Sequence, residues 1–435
     1  MSAGEETLTE LTDGSRIRRK IPLWFWILVP LLAIGLMLAL FAFGNPLSLF
    51  TADLPPIEDL TIERIRVVEG GFKVSLINGG PDPITVSQVL VDDAYWSYQI
   101  TPTNTIPRLG RATMEIPYPW VETEPHGIVV ITSTGVTFAG EVPVAVITPS
   151  PGSEEFLAYG LLGVYVGIIP VALGMLFFPA MKLMGRKWLG ALLALTIGLL
   201  VFLLVDTFLE ALELSGNLPG VFQGIPLILF SALLTWLLLL AIGSQRKKSI
   251  GSDPGRHAVY VATMIALGIG LHNLGEGLAI GVAFSIGEAA LGSFLVIGFM
   301  LHNITEGVGI VTPLVPGKKK TSNADQTGSS SGSQDPERSQ NMKTPSLWVF
   351  IGLILLAGSP AILGSWIGGF AFSPLLATIF LGIGVGAIWQ VIVEVVGLLR
   401  SSAEREGTPL VSWINLAGFF SGLAIMYLTA YLVKF

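Results

Sequence analysis

The sequence contains no cysteine and little charge. Without cysteine, the 435 residues can form neither disulfides nor thiolate metal sites, so any bound metal must have nitrogen and oxygen ligands. Charged residues make up 13% of the chain, against roughly 25% in an average soluble domain, and 51% of residues are hydrophobic. The net charge is -7, and the basic residues do not form a face suited to nucleic acid, which argues against nucleic acid as a partner. This composition indicates a membrane protein.

Long apolar stretches account for most of the chain. Nine of them have about 20 residues, the length that crosses a ~30 Å hydrocarbon core. They lie at residues 22–44, 156–180, 188–210, 223–243, 258–284, 289–314, 346–370, 373–398 and 410–433. We interpret the first as an uncleaved signal anchor rather than a signal peptide. Its apolar run is longer than an h-region of about 7–15 residues, and no clear cleavage site follows it.

Lysine and arginine predict the orientation of these spans. Of the 24 basic residues, 18 fall in the N-terminal tail (residues 1–21) or in alternate short loops, which we therefore place in the cytoplasm. The result is a multi-pass protein of the cell membrane, with its N-terminus cytoplasmic and its C-terminus extracytoplasmic.

Two segments between the spans have a different character. Residues 51–150 alternate apolar and polar side chains in short runs separated by Gly- and Pro-rich turns, which predicts an extracytoplasmic β-sandwich. Its single histidine, His126, could be structural or could help to deliver a ligand. Residues 316–345 are rich in Ser, Gly, Gln and Lys and poor in apolar residues, which predicts a disordered cytoplasmic loop.

A repeated motif lies within two consecutive apolar spans. "LHNLGEGLAI" at residues 271–280 recurs as "LHNITEGVGI" at residues 301–310. In each copy histidine and glutamate are four residues apart, on one helix face. If the intervening turn is centred near residue 289, Glu276 lies level with His302, and His272 lies level with Glu306. Two imidazoles and two carboxylates near the bilayer midplane suit zinc, ferrous iron, manganese or cadmium.

Three other carboxylates also fall within the spans. Asp206 and Glu210 lie in the third apolar stretch and Glu394 in the eighth. Ionisable groups inside a membrane are costly and usually mark a functional path. These three could line an ion path or could lie near the water interface.

The paired "HNLGEG" and "HNITEG" motifs resemble the metal-site motifs of the ZIP (Zrt/Irt-like protein) divalent metal transporters, most closely the GufA-like prokaryotic branch. The resemblance covers residues 155–435 and implies an eight-helix transporter domain, with a possible homodimer. It assigns one metal to His272, Glu276, His302 and Glu306, and a second, bridged by the glutamates, to Asn273 and Asn303. Ser359 stands where a glutamate usually completes the second site, so we expect one tightly held metal. Gly275 and Thr305 replace prolines that are common in the motif.

The leading functional hypothesis is a transporter that moves a divalent metal, zinc foremost, into the cytoplasm by alternating access at this site. The metal is then the substrate, and neither an enzymatic activity nor an organic cofactor is expected. One alternative is an intramembrane metal-dependent hydrolase, although the H-E-x-x-H signature of zincins is absent. The other is a membrane-anchored binding or sensor protein, whose β-domain recognises an unidentified outer partner.

Overall fold

A computed structural model describes residues 23–44, 57–250, 254–315 and 345–433. The chain forms two compact units, Met1–Pro56 and Ile57–Phe435. In the first unit, the predicted signal anchor is a helix of 22 residues, α1 (Leu23–Gly44). The predicted cytoplasmic tail (1–21) and, except for Pro345, the predicted disordered loop (316–345) lie outside the described residues.

The second unit contains eight helical segments that are long and apolar enough to cross a membrane, which matches the last eight predicted spans. They form a helical bundle compatible with a multi-pass membrane protein. Its helices are α2 (Ser153–Gly163), α3 (Ile169–Met175), α4 (Phe178–Met181), α5 (Arg186–Ser215), α6 (Gly224–Ile250), α7 (Pro254–Ser285), α8 (Ala289–Val311), α9 (Leu347–Gly358), α10 (Pro360–Ala371), α11 (Pro374–Glu406) and α12 (Trp413–Val433).

Two of these segments are interrupted at prolines. The segment Ser153–Met181 contains α2, α3 and α4, and a π-helical turn, Val164–Ile168, joins α2 to α3 just before Pro170. The segment Leu347–Ala371 breaks between α9 and α10 at Ser359, which precedes Pro360. Proline has no N–H and disrupts the preceding helical turn, so backbone carbonyls at these two points need other partners.

The helices of the bundle fall into two sets, which pack against each other mainly where α7 contacts α11. The first, which we name the motif group, comprises α2–α4 and α7–α10; the second, the flanking group, comprises α5, α6, α11 and α12. Glycines bring helix backbones into direct contact within the motif group. An added Cβ at Gly277 would lie 2.1 Å from the Ala361 carbonyl oxygen, and one at Gly307 would lie 2.3 Å from that of Val171. At these two contacts the helices approach closely because a side chain is missing.

The β-rich domain forms two antiparallel sheets around one hydrophobic core, as a β-sandwich requires. One sheet has the order β1-β2-β7-β5, and the other has the order β4-β3-β8-β9 with β6 paired to β3. The strands are β1 (Leu60–Val68), β2 (Gly71–Asn78), β3 (Ile84–Val91), β4 (Ala94–Trp96), β5 (Gln99–Thr101), β6 (Thr105–Ile106), β7 (Arg111–Pro117), β8 (His126–Thr132) and β9 (Thr137–Val142). We call this the β-domain.

His126 is buried at the start of β8 and takes part in a local hydrogen-bond network. Its Nδ1 lies 2.7 Å from Asp92 Oδ2, while the Tyr118 hydroxyl and the Gly127 amide donate to the same carboxylate over 2.8 and 2.9 Å. Burial alone would raise the pKa of Asp92, but these hydrogen bonds outweigh it and hold the pKa below its usual range. The network ties the β3–β4 turn to β8, which is a structural task for His126.

Candidate metal centre

The two copies of the repeated motif lie on two adjoining helices, each in the C-terminal half of its helix. Helices α7 and α8 form a hairpin through a short turn at Gly287, whose φ of +85° is a conformation that glycine adopts without strain. In each helix the histidine and the glutamate are one turn apart and face the same side. The hairpin therefore brings both copies of the motif to the same depth.

Three of the four predicted ligands come together at one point. His272 Nε2 lies 3.1 Å from Glu276 Oε1, and His302 Nε2 approaches the same oxygen from α8. One donor atom from each of these residues falls within 4.8 Å of the others. All three side chains are buried, with exposed fractions of 4–5%. The predicted pairing of Glu276 with His302 across the hairpin is thus confirmed.

The donor atoms of this cluster suit a metal ion better than a purely structural role. Two imidazole nitrogens and a carboxylate oxygen are a common set for zinc and for other borderline divalent metals. One glutamate oxygen that faces two imidazoles would otherwise have to share its charge between them in a buried setting. A divalent cation among the three would accept one lone pair from each of these donor atoms.

Glu306, the fourth predicted ligand, is buried beside the cluster but is not part of it. Neither of its carboxylate oxygens has a hydrogen-bond partner among the described residues. With His302 it borders a cavity whose opposite wall comes from α5 and α12, including Leu199, Leu203 and Met426. A buried carboxylate without a partner is costly, so this group favours a cation or a proton beside it.

The two asparagines of the motif hold backbone carbonyls at the proline breaks. Asn273 Nδ2 donates to the Ala357 carbonyl over 3.0 Å, in the last turn of α9 before Pro360. Asn303 Nδ2 donates to the Val166 carbonyl over 3.0 Å, inside the π-helical turn. Pro170, four residues after Val166, has no N–H to give that carbonyl. The motif therefore needs an amide donor next to each histidine.

Asn303 also contacts the cluster directly. Its Nδ2 donates to Glu276 Oε2 over 2.9 Å, which directs the other oxygen, Oε1, towards the two imidazoles. Asn273 has no such contact with a glutamate among the described residues. The Oδ1 atoms of both asparagines are buried and unpartnered within the described part of the chain, so their role in a second metal site stays a prediction.

This difference between the asparagines predicts unequal effects of their removal. Asn303→Ala leaves Glu276 free to rotate, and losing such an orienting partner typically weakens metal affinity by about 10–100-fold. Asn273→Ala removes only a bond to backbone, so we expect zinc affinity to fall at least tenfold less. Calorimetric titration of the purified variants with zinc measures both values. Equal losses would mean that the two asparagines act alike, as paired ligands would.

The predicted path residues occupy different positions relative to this centre. Asp206 and Glu210 lie on α5 with exposed side chains, and each is close enough to the cluster to interact electrostatically, Asp206 with His302 and Glu210 with Glu276. Glu394 on α11 is half-buried and accepts a hydrogen bond from Gln390 Nε2 over 3.1 Å. Ser359 lies at the break between α9 and α10. The carboxylates on α5 are therefore the ones associated with the site.

Several neighbours of the centre were not expected from the sequence. A Cβ added at Gly384 of α11 would lie 3.7 Å from His272 Nδ1 and 3.8 Å from the methyl group of Thr207 on α5. These two small residues make room for the imidazole between the two groups of helices. Elsewhere on α11, Gln390 is a buried polar residue with 1% of its surface exposed, and it was also missed. A polar side chain inside an apolar span is the signal that could have indicated it.

No protein-family model matches the chain, and no curated protein sequence matches it significantly. The resemblance of the motif to ZIP transporters accordingly stays a prediction. The geometry of the centre is the basis for a functional proposal.

Proposed function

We propose that this protein is a divalent metal transporter, with zinc as its foremost substrate, and that it resembles the ZIP family. The observation that supports the proposal is the convergence of His272, Glu276 and His302 in the interior of a bundle of apolar helices. Ionisable groups in such a setting are expensive unless they serve an ion.

The arrangement of the helices supports movement of the ion rather than permanent storage. All three clustered side chains belong to the motif group, whereas Gly384 of the flanking group lies beside His272, and α5 and α12 of the flanking group line the cavity beside His302. A site at the boundary between two packed sets of helices becomes accessible from one side and then the other if the sets move relative to each other. Asp206 and Glu210 would attract the cation on one side of the centre.

We further propose that one metal is held tightly. Glu276 is the carboxylate between both imidazoles, and by the resemblance to the ZIP motifs Ser359 stands where a carboxylate would complete a second site. Hydroxyl and amide oxygens are weak ligands for zinc compared with carboxylate and imidazole. We propose that the metal moves into the cytoplasm, in keeping with the resemblance of the motif to the ZIP family.

A second candidate function is an intramembrane metal-dependent hydrolase. One observation favours it: Glu306 is an unpartnered carboxylate beside a set of three ligands, where a general base would lie. The apolar lining of the adjoining cavity offers little to bind a peptide or ester group. Time-dependent cleavage of membrane peptides by the zinc-loaded protein, lost in Glu306→Gln, would support this candidate instead of transport.

Uptake into proteoliposomes tests the proposal. Vesicles with the native protein should accumulate zinc, and iron, manganese and cadmium should be compared at equal concentrations. Vesicles with His302→Ala should resemble empty vesicles. Undiminished uptake in this variant would remove the proposed site from the path.

A further inference from the structure

The β-domain contacts both groups of helices at their ends. Three connections of the bundle meet it: the end of α10, the turn between α7 and α8, and the connection between α5 and α6. The first two belong to the motif group and the third belongs to the flanking group. The domain therefore bridges the boundary at which the metal centre lies.

Arg64 makes the contact with α10. Its Nη1 donates to the Phe370 carbonyl and its Nη2 donates to the Gly369 carbonyl, each over 3.2 Å. These carbonyls lie in the last turn of α10, where no further helical N–H is available, and a cation there also complements the helix dipole. A bulge in β1 between Ile62 and Arg64 changes the strand register at this point. Bulges of this kind redirect side chains, here towards α10.

The turn between α7 and α8 adds a second contact with the motif group. A Cβ at Gly287 would lie 3.2 Å from the Val144 carbonyl oxygen and 3.3 Å from Val146 Cβ, in the segment that follows β9. The chain thus passes directly over the hairpin that carries the metal-site motif.

Asp59 makes the contact with the flanking group. Its Oδ2 accepts a hydrogen bond from the Gly220 amide over 3.0 Å, in the connection between α5 and α6. The Gly79 amide donates to the Asp59 carbonyl over 2.7 Å and so holds this residue in place. Gly79 also lies against Pro219, because a Cβ added at Gly79 would be 2.4 Å from Pro219 Cβ.

We propose that the β-domain is a clamp that holds the motif group and the flanking group together at one end of the bundle. The clamp rests only on these contacts and does not depend on the proposed transport function. The contact that Arg64 makes with the motif group and the contact that Asp59 makes with the flanking group differ in strength. Arg64 donates two hydrogen bonds from a partly buried guanidinium, while Asp59 accepts one at an exposed position. We therefore expect the contact between Asp59 and Gly220 to break before the contact between Arg64 and α10.

Distances between two spin labels test the clamp without any assay of metal. The chain has no native cysteine, so Ser293→Cys on α8 and Asn217→Cys after α5 give a specific pair of labels at exposed positions. Pulsed dipolar spectroscopy on the full chain in lipid then reports the separation of the two groups. Gly79→Ala inserts a methyl group against Pro219 and the Asp59 carboxylate, and Asp59→Ala removes the side chain that accepts from the Gly220 amide.

We expect the population at longer distance to rise about fivefold in Asp59→Ala, as the loss of one net hydrogen bond predicts, and at least as much in Gly79→Ala, whose methyl group would overlap Pro219. Gly127→Ala is the matched control, because its methyl group would enter open space on the same domain. Distance distributions of Gly79→Ala and Asp59→Ala that both equal the native one would overturn the clamp. Zinc uptake by the native protein is measured separately. Its absence would remove the transport function and leave the distance result valid.

Discussion

Glu276→Gln should weaken zinc binding more than any other single substitution in the chain. Glutamine keeps the size of the side chain but removes the negative charge, and its amide cannot give one anionic oxygen to both His272 and His302. Loss of an orienting partner alone costs about 10–100-fold in metal affinity. The loss of this central ligand should therefore exceed about 100-fold, and zinc uptake should fall to the level of empty vesicles.

The matched control for this substitution is Glu288→Gln. Glu288 lies on the same hairpin, immediately before α8, and is outside the three-residue cluster. Calorimetric titration with zinc should give native affinity for this variant. A decrease for Glu276→Gln no larger than that for Glu288→Gln would show that the buried cluster does not hold the metal.

Gly277→Ala should destabilise the bundle although it adds only one methyl group. That methyl would lie 2.1 Å from the Ala361 carbonyl oxygen, so α7 and α10 would have to separate along their closest contact. Overpacking of this kind typically costs about 1–3 kcal/mol, and a rigid backbone atom places this case at the upper end. The free energy of unfolding in detergent, measured with a chemical denaturant, should fall by about 3 kcal/mol.

Gly275, in the same copy of the motif, provides the control. A Cβ there would meet Leu381 at 3.5 Å, an ordinary van der Waals contact. Because alanine is favoured over glycine inside a helix, Gly275→Ala should be neutral or should stabilise the protein by about 0.5–1 kcal/mol. An equal loss of stability in both variants would contradict the proposed role of the contact at Gly277.

The helical segments and the core of the site could be predicted because both depend on local periodicity. The apolar stretch predicted at 156–180, for example, corresponds to the segment Ser153–Met181. Helical spacing and the position of one turn were enough to place Glu276 level with His302. Glu306 shows the limit of this reasoning, since spacing alone could not tell that its carboxylate would point into a neighbouring cavity.

Features that depend on contacts between distant segments could not be predicted from the sequence. The asparagines were expected as ligands of a second site, yet their Nδ2 atoms bind the carbonyls of Val166 and Ala357 in other helices. Pro170 and Pro360 mark both breaks in the sequence, but only the packing of the bundle shows which side chain reaches each carbonyl. The contacts of Arg64 and Asp59 with the bundle likewise join residues more than 150 positions apart.

X-ray absorption at the zinc K edge tests most directly whether the repeated motif holds the metal. We predict a single zinc per chain with nitrogen and oxygen ligands and the multiple-scattering signature of two imidazoles, reduced to one or lost with the metal in His302→Ala. A zinc site without imidazole scattering, or a spectrum that His302→Ala leaves unchanged, would contradict the proposed metal centre.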